Sequence, residues 1–208
     1  MPHMRLCFIG DSYVTGTGDQ TCQGWAGRLC AMERRGGRDV TLYNLGVRGQ
    51  TSCDIARRWL TETRSRLDGR HDGGVVLSFG VNDCTTTPRG QTRVTWADSM
   101  NATRGILEQA RQTWPVLMVG PPPVGHEDHD WRIRALSDAM ARLCADMKIP
   151  FLPIWEPLRA RPLWCAEIAR GDGFHPMGGG YAELARLVHD WPAWRKWMGA
   201  VSPLRVPS

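Results

Sequence analysis

LCFIGDSYVTGTGDQ, residues 6–20, is an apolar run that stops abruptly at Gly10, Asp11 and Ser12. A short apolar run that ends in small polar residues predicts a strand leading into a turn. A serine at that point can cap the next helix, belong to a glycine-rich loop that binds phosphate, or act as a nucleophile presented at the strand end. The role of Ser12 therefore depends on what the other strands bring beside it.

Five short apolar runs, most of them ending at Gly or Pro, have the character of buried strands. These runs are residues 5–10, 40–46, 74–80, 115–120 and 150–155. Segments with helical periodicity lie between them, and their apolar stripes span residues 55–67, 96–114 and 133–147. This alternation predicts an α/β fold in which helices cover both faces of a parallel sheet through right-handed crossovers. In such a sheet, ligands bind outside the carboxyl ends of the strands.

Length and composition predict one domain over residues 1–208, with its core at about residues 4–199. The chain has 208 residues, of which 42% are hydrophobic, and this is enough to bury a full core. Its formal net charge is +5, but the basic residues are scattered and nearly all of them are arginine. A solvated surface is therefore expected, with no nucleic-acid partner.

The cysteines and the amino terminus favour a cytoplasmic protein. Seven widely spaced cysteines form no C-x-x-C pair, so no disulfide framework is expected. The opening MPHMRLCFIG lacks the charged and apolar regions of a signal peptide. No apolar run reaches the ~18 residues of a membrane span, so no stable membrane insertion is expected.

Polar residues collect at the predicted ends of the first three strands. The three turns are Gly10-Asp11-Ser12, Asn44-Leu45-Gly46 and Gly80-Val81-Asn82-Asp83. A fourth segment, RGDGFHPMGGGY at residues 170–181, places Asp172 three residues before His175. Because the strands of a parallel sheet end at the same edge, the three turns are expected to face one crevice.

These side chains match the needs of acyl transfer. A serine hydroxyl is a weak nucleophile unless an adjacent base takes its proton, and His175 can be that base for Ser12. An aspartate on the other ring nitrogen holds the imidazole in the correct tautomer, and Asp172 can reach it from the same loop. The developing oxyanion needs donors already aimed at it. The backbone N–H groups of Ser12 and Gly46 and the side-chain amide of Asn82 are the candidate donors.

Four blocks of the sequence resemble the consensus blocks of the SGNH, or GDSL, hydrolase family, in the family's order and over nearly the whole chain. The blocks are G-D-S-Y at 10–13, N-L-G at 44–46 with Gly49 following, G-V-N-D at 80–83 and D-G-F-H at 172–175. The resemblance implies the same roles for the five residues named above. It also implies a flavodoxin-like three-layer α/β/α sandwich with a five-stranded parallel sheet.

The function implied by this resemblance is hydrolysis of small acyl esters through an acyl-enzyme on Ser12, with no metal and no cofactor. A carbohydrate O-deacetylase and an acyl-thioesterase are alternatives on the same site. A flavodoxin-like ligand-binding protein is the non-enzymatic alternative, because a fold does not determine a function. That alternative leaves Asn82, Asp172 and His175 without a role.

Three other features have simpler explanations. The glycine-rich GDSYVTGTGD contains no lysine and carries two aspartates that would repel phosphate, so a phosphate loop is disfavoured. HEDHD at residues 126–130 could bind a metal, but a solvated surface loop is favoured because no further cluster has ligand spacing. The tryptophan-rich stretch at 191–199 is expected to pack a terminal helix onto the domain, although exposed aromatics there would allow a homo-oligomer.

Overall fold

A computed structural model describes residues 3–69 and 72–199 and contains the predicted sheet. Its five strands are β1 (Met4–Gly10), β2 (Val40–Gly46), β3 (Asp72–Ser78), β4 (Val116–Val119) and β5 (Phe151–Leu152). All are parallel and lie in the order β2-β1-β3-β4-β5, which is the order of flavodoxin-like folds. The predicted five-stranded parallel sheet is confirmed. Residues 1–2, 70–71 and 200–208 of the predicted domain lie outside the described residues.

Nine helices accompany the sheet in the described part of the chain. They are α1 (Ser12–Thr15), α2 (Gly24–Arg35), α3 (Ser52–Arg64), α4 (Trp96–Arg111), α5 (Glu127–Asp146), α6 (Trp155–Arg159), α7 (Pro162–Arg170), α8 (Gly178–Asp190) and α9 (Pro192–Gly199). One layer contains α2, α8 and α9, in which α8 packs against the other two. The other layer contains α3, α4 and α5, in which α4 is the middle helix. The three-layer α/β/α arrangement is therefore confirmed.

The central strand β1 is formed by the apolar run that precedes Asp11 and Ser12. Its residues Leu6, Cys7, Phe8 and Ile9 are fully buried, as expected for a strand covered on both faces. On one face the Phe8 ring packs edge-on against Trp25 of α2, with ring centroids 5.3 Å apart. An apolar run without alternation is therefore what this position in the sheet requires.

Strand β1 ends at the same level as both of its neighbours. In the parallel registers, Gly10 is the partner of Gly46 in β2 and of Ser78 in β3. The chain consequently leaves the sheet at three adjacent points. The predicted crevice lies above these three exits.

Two helices that follow these exits begin with side-chain caps. Thr51 caps α3 and forms a capping box with Asp54, because each side chain accepts from the other's backbone N–H. Thr95 caps α4 by accepting from the Asp98 amide at 3.1 Å. These caps fix where the loops at the carboxyl edge of the sheet enter the helices.

The segment 126–130 differs from the prediction of a solvated surface loop. Helix α5 begins at Glu127, so four of the five residues of HEDHD are helical, and His129 and Asp130 are buried. The Asp130 carboxylate accepts from the amides of Val124 and Gly125 at 2.7 and 3.0 Å. Acidic residues are favourable in the first turn of a helix, and this preference explains the composition that suggested a metal site.

The tryptophan-rich stretch packs onto the domain, as predicted. Trp194 of α9 is fully buried, and its indole N–H donates to the Glu33 carboxylate at 2.7 Å. Glu33 is itself buried and also accepts from Arg38 at 2.8 Å. Trp191 and Trp197 are partly buried against the core. Among the helices of residues 3–69 and 72–199, none has both the length and the apolar character needed to cross a membrane.

Candidate active site

A cavity of about 360 Å³ opens at the carboxyl edge of the sheet, above β1 and β3. Ser12, Asn82, Asp172 and His175 all line it. The remaining lining residues are Tyr13, Arg48, Gly49, Val81, Thr85, Arg93, His129 and Phe174. Four of the five residues proposed from the sequence therefore meet at one cavity.

A larger cavity of about 750 Å³ lies at the opposite edge of the sheet, beside Met4 and Asp72, where β1 and β3 begin. The described residues around it include no histidine, cysteine or serine. Its described lining therefore offers no serine or cysteine nucleophile paired with a histidine base. The cavity of about 360 Å³, which contains Ser12 and His175, is therefore the better candidate for an active site.

Ser12 stands at the first turn after β1. The preceding residue, Asp11, caps the short helix α1 by accepting from the Tyr13 amide at 3.0 Å. Only 3% of the surface of Ser12 is exposed. The turn therefore holds the hydroxyl at the base of the cavity instead of leaving it free in solvent.

Ser12, His175 and Asp172 form a continuous hydrogen-bonded chain. The Ser12 Oγ lies 2.8 Å from His175 Nε2, and His175 Nδ1 lies 2.7 Å from Asp172 Oδ2. Because a carboxylate only accepts hydrogen bonds, Nδ1 must carry the hydrogen in this pair. Nε2 of the neutral ring is then free to accept the serine proton.

Asp172 is held as an anion by its own loop. Its Oδ1 accepts from the backbone amides of Phe174 at 3.0 Å and His175 at 2.8 Å. Burial opposes ionisation, but the hydrogen bonds from the His175 amide and ring and the Phe174 amide outweigh it and lower the pKa of Asp172 to about 2. Asp172 is therefore charged at neutral pH and can stabilise a protonated imidazole.

A buried glutamate anchors the chain that follows His175. The Glu167 carboxylate of α7 accepts from the amides of Met177, Gly179 and Gly180 at 2.8 to 3.2 Å. Nothing in the local pattern around the D-G-F-H block pointed to this residue. It fixes the start of α8, and therefore one end of the loop that carries the histidine.

The Asn82 side chain reaches the same cavity from the turn after β3. Its Nδ2 donates to the Gln50 carbonyl at 3.0 Å and lies 3.4 Å from Asp11 Oδ2. The neighbouring Asp83 is buried and accepts from the Ser52 amide at 2.7 Å and the Ser99 hydroxyl at 2.5 Å. These bonds tie the turn to the starts of α3 and α4, so the Asn82 amide has a defined position.

Gly46, which was predicted as an oxyanion donor, does not line the cavity. Its amide donates to the Asn44 side chain at 3.0 Å, and the residue packs against the main chain of Thr15. Gly49, three residues later, lines the cavity instead. It has a φ of +78°, and a Cβ placed there would meet nothing within 4 Å. In the sequence, the signal for Gly49 was its place as the glycine that follows the N-L-G block.

The structure adds aromatic side chains that the sequence did not single out. The Tyr13 ring lies 4.9 Å from the His175 ring and stacks on Trp164 at 6.4 Å. Phe174 lies 4.9 Å from the ring of His126. His129 contacts the Val81 carbonyl through Nε2 at 3.0 Å, and burial lowers its pKa. Of these rings, those of Tyr13, His129, Phe174 and His175 line the cavity.

Among residues 3–69 and 72–199, no group of three or more His, Cys, Asp or Glu side chains is placed to hold a metal ion. HEDHD therefore provides no such cluster within those residues. All seven cysteines have free thiols.

The chain is similar to known hydrolases in sequence and in fold. The model of the GDSL-like Lipase/Acylhydrolase family matches residues 8–183. No curated protein sequence matches the chain significantly. Among solved structures, a lipase/acylhydrolase from Enterococcus faecalis aligns with a TM-score of 0.74 and 21% identity, covering 99% of this chain and 100% of that one. An acetylxylan esterase from Geobacillus stearothermophilus aligns with a TM-score of 0.72 and 16% identity, covering 94% of each chain. These likenesses show the fold.

Proposed function

Because the chain belongs to the GDSL-like lipase/acylhydrolase family, we propose that it is a serine hydrolase that cleaves small acyl esters through an acyl-enzyme on Ser12. The observation that carries the proposal is the unbroken chain from Ser12 Oγ to His175 Nε2 and from His175 Nδ1 to Asp172. A nucleophile, its base and the group that orients the base are the minimum machinery of acyl transfer. This arrangement argues against the non-enzymatic alternative, since ligand binding alone does not require it.

In the proposed first step, Ser12 Oγ attacks the ester carbonyl while His175 Nε2 takes its proton. The resulting imidazolium is stabilised by Asp172, which stays ionised. His175 then gives the proton to the departing alcohol as the ester C–O bond breaks. In the second step, water attacks the acyl-enzyme, His175 takes a proton from the water, and Ser12 is released with the carboxylic acid.

The oxyanion of both steps needs hydrogen-bond donors at the cavity. We assign this role to the backbone N–H groups of Ser12 and Gly49 and to the side-chain amide of Asn82. Gly49 and Asn82 support the assignment because they line the cavity from two different strand exits. In the unliganded site the Asn82 amide donates to the Gln50 carbonyl, so a bound substrate would compete for that hydrogen.

The catalytic mutants of the acetylxylan esterase support the same assignment. They replace a serine, an aspartate and a histidine, and the last two are three positions apart, as Asp172 and His175 are. Carbohydrate O-deacetylation and thioester hydrolysis remain alternatives for this chain. Both would use the same three side chains, because the serine attacks the acyl carbonyl in every case.

The direct test is hydrolysis of p-nitrophenyl esters from acetyl to palmitoyl, measured beside an acetylated sugar and an acyl thioester. Ser12→Ala should remove the activity, whereas Ser65→Ala, at an exposed serine, should retain it. Thermal unfolding of both variants shows whether the fold is kept. Full activity in a folded Ser12→Ala protein would end the proposal, and the preferred substrate decides among ester, sugar acetate and thioester.

A further inference from the structure

Two arginine side chains line the cavity that contains Ser12. Arg48 comes from the turn after β2, and Arg93 comes from the loop 85–94 that precedes α4. The two residues are far apart in sequence, and the fold brings them to the same opening. Both are exposed.

Arg48 has little to hold it within the protein. Its Nη2 lies 3.6 Å from Asp172 Oδ2, which is too long for a good hydrogen bond, and 68% of its side chain is exposed. Asp172 already accepts from the ring and the amide of His175. Most of the donors of Arg48 therefore remain available to a bound molecule.

Arg93 is fixed through its backbone while its guanidinium stays unengaged. The Arg93 amide donates to the Thr85 carbonyl at 2.9 Å, and a β-bridge joins Thr86 to Thr92 across the base of the loop. Its guanidinium forms no hydrogen bond or ion pair with the described residues. The loop therefore presents this charge toward the cavity without neutralising it.

The charge of Arg93 acts on Asp54, and that carboxylate has other partners. The pKa of Asp54 is lowered first by hydrogen bonds from Thr51 and more weakly by the charges of Arg57 and Arg93. Asp54 accepts from Thr51 at 2.7 to 3.0 Å and from Arg57 at 3.0 Å. Asp54 therefore does little to balance the positive charge of Arg93.

The charge of the cavity is thus unbalanced. Among its described lining residues, Asp172 is the one carboxylate, and it is bound to His175. An ester without charge has no need of two arginines, whereas the planar guanidinium binds carboxylate and phosphate oxygens in a two-pronged manner. We infer that the preferred substrate is an acyl ester carrying an anionic group, a carboxylate or a phosphate, which Arg48 and Arg93 bind. This inference rests on the proposed function and specifies its substrate class.

The test compares matched neutral and anionic esters. The acyl arm uses p-nitrophenyl hexanoate and p-nitrophenyl hydrogen adipate, whose acyl chain ends in a carboxylate. The alcohol arm uses methyl para-acetoxybenzoate and para-acetoxybenzoate, whose leaving group carries the charge. We expect the anionic member of one arm to have a kcat/KM about tenfold higher than its neutral partner at low ionic strength. The preference should shrink as salt screens the exposed arginines.

Variants assign the preference to the two side chains. Arg93→Gln and Arg48→Gln should each lower the anionic-to-neutral ratio of kcat/KM several-fold, chiefly through KM. Arg93→Gln is the cleaner variant, since Arg48 also lies near Asp172. Arg89→Gln is the matched control, because Arg89 is an exposed residue of the same loop that does not line the cavity. It should leave the ratio unchanged.

The outcomes separate this inference from the function on which it rests. Equal rates for both members of both pairs would overturn the inference while leaving the esterase intact. A preference that Arg89→Gln lowers as much as Arg93→Gln would overturn it too, since a general surface charge would then explain it. A protein inactive toward all four esters would contradict the proposed function and the inference together.

Discussion

The phenol of Tyr13 donates a 2.6 Å hydrogen bond to the main-chain carbonyl of Phe174. Tyr13 directly follows Ser12, and Phe174 directly precedes His175, so one bond ties together the two segments that supply nucleophile and base. Burial raises the pKa of Tyr13 well above its usual range, so the phenol stays protonated and remains a donor. The 2.8 Å contact between Ser12 and His175 depends on this link between distant parts of the chain.

Removing the Tyr13 hydroxyl should therefore loosen the reacting pair. We expect Tyr13→Phe to lower kcat by about tenfold with little change in KM, because the histidine loop loses its tie to α1 while the cavity keeps its shape. Steady-state kinetics on a p-nitrophenyl ester measure the change. Tyr181→Phe is the matched control, since that buried phenol makes a similar bond to the Thr17 carbonyl at 2.7 Å. Equal losses of kcat in the two variants would mean that general destabilisation is the cause.

Replacing Gly46 or Gly49 by alanine should affect stability and activity to different extents. In Gly46→Ala the new Cβ meets the main chain of Thr15 and the Asp11 carbonyl, neither of which can move easily, so the protein should lose about 1–3 kcal/mol of stability. In Gly49→Ala the Cβ meets open space, and the left-handed φ costs only about 1 kcal/mol.

Gly49→Ala, although the more stable of the two variants, should lose more activity than Gly46→Ala. Gly49→Ala should lower kcat roughly tenfold or more, because an L residue disfavours the left-handed φ that orients this amide within the proposed oxyanion site. Folded Gly46→Ala protein should keep a larger share of wild-type activity. Urea unfolding and kinetics at a temperature where both variants are folded measure the two effects. A Gly49→Ala protein with wild-type kcat would remove Gly49 from the oxyanion site.

Asp172→Asn should damage catalysis without damaging the fold. An amide in place of the carboxylate no longer favours the tautomer with hydrogen on Nδ1, and it gives no charge to stabilise the imidazolium. By analogy with other serine triads, kcat should fall by roughly 10⁴-fold while KM changes little. Asp190→Asn, at the exposed end of α8 beside Arg195, is the control. Activity within tenfold of wild type in Asp172→Asn would show that His175 works without this partner.

Asp11 should make the protein less stable as the pH rises toward neutrality. Burial is the main cause that raises its pKa from 3.8 to about 7, with a further contribution from the charge of Asp83. Between these two values the unfolded chain releases a proton that the folded protein keeps, so the free energy of unfolding falls with increasing pH. The loss approaches about 4 kcal/mol by pH 7.

Urea unfolding at several pH values between 4 and 7 measures this slope. In Asp11→Asn the contribution disappears, and the slope should become shallower by up to about 1.4 kcal/mol per pH unit. The same slope in both proteins would show that Asp11 ionises alike in the folded and unfolded states.

The strands were predictable because β1 and β3 are continuous apolar runs that end in turn residues. The first and last residues of each strand were less predictable, because hydrogen bonding across the sheet determines where a strand begins. Strand β3 begins at Asp72, opposite Met4, although its apolar run starts later. Strand β5 has only two residues, since Pro150 and Pro153 on either side cannot donate to a neighbouring strand.

The reacting side chains were predictable because each stands in a short block at a strand exit or in one loop. Which glycine lies at the cavity was not predictable, because the path of the backbone depends on the conformation of the turn, which N-L-G does not reveal. Gly49 adopts a φ of +78°, whereas the Gly46 amide is occupied by Asn44. Arg48 and Arg93 meet only through tertiary packing, so no local pattern joins them.

The bridge between Thr86 and Thr92 gives the loop 85–94 a closed base of its own. Its tip, around Arg89, is exposed, while Asp83 is bonded to Ser52 and Ser99 below it. The reacting atoms are carried by other segments of the chain. The loop is accordingly a replaceable module: grafting a different sequence between Thr85 and Val94 would replace Arg93 and change the substrate preference, while Ser12, Asp172 and His175 stay in place.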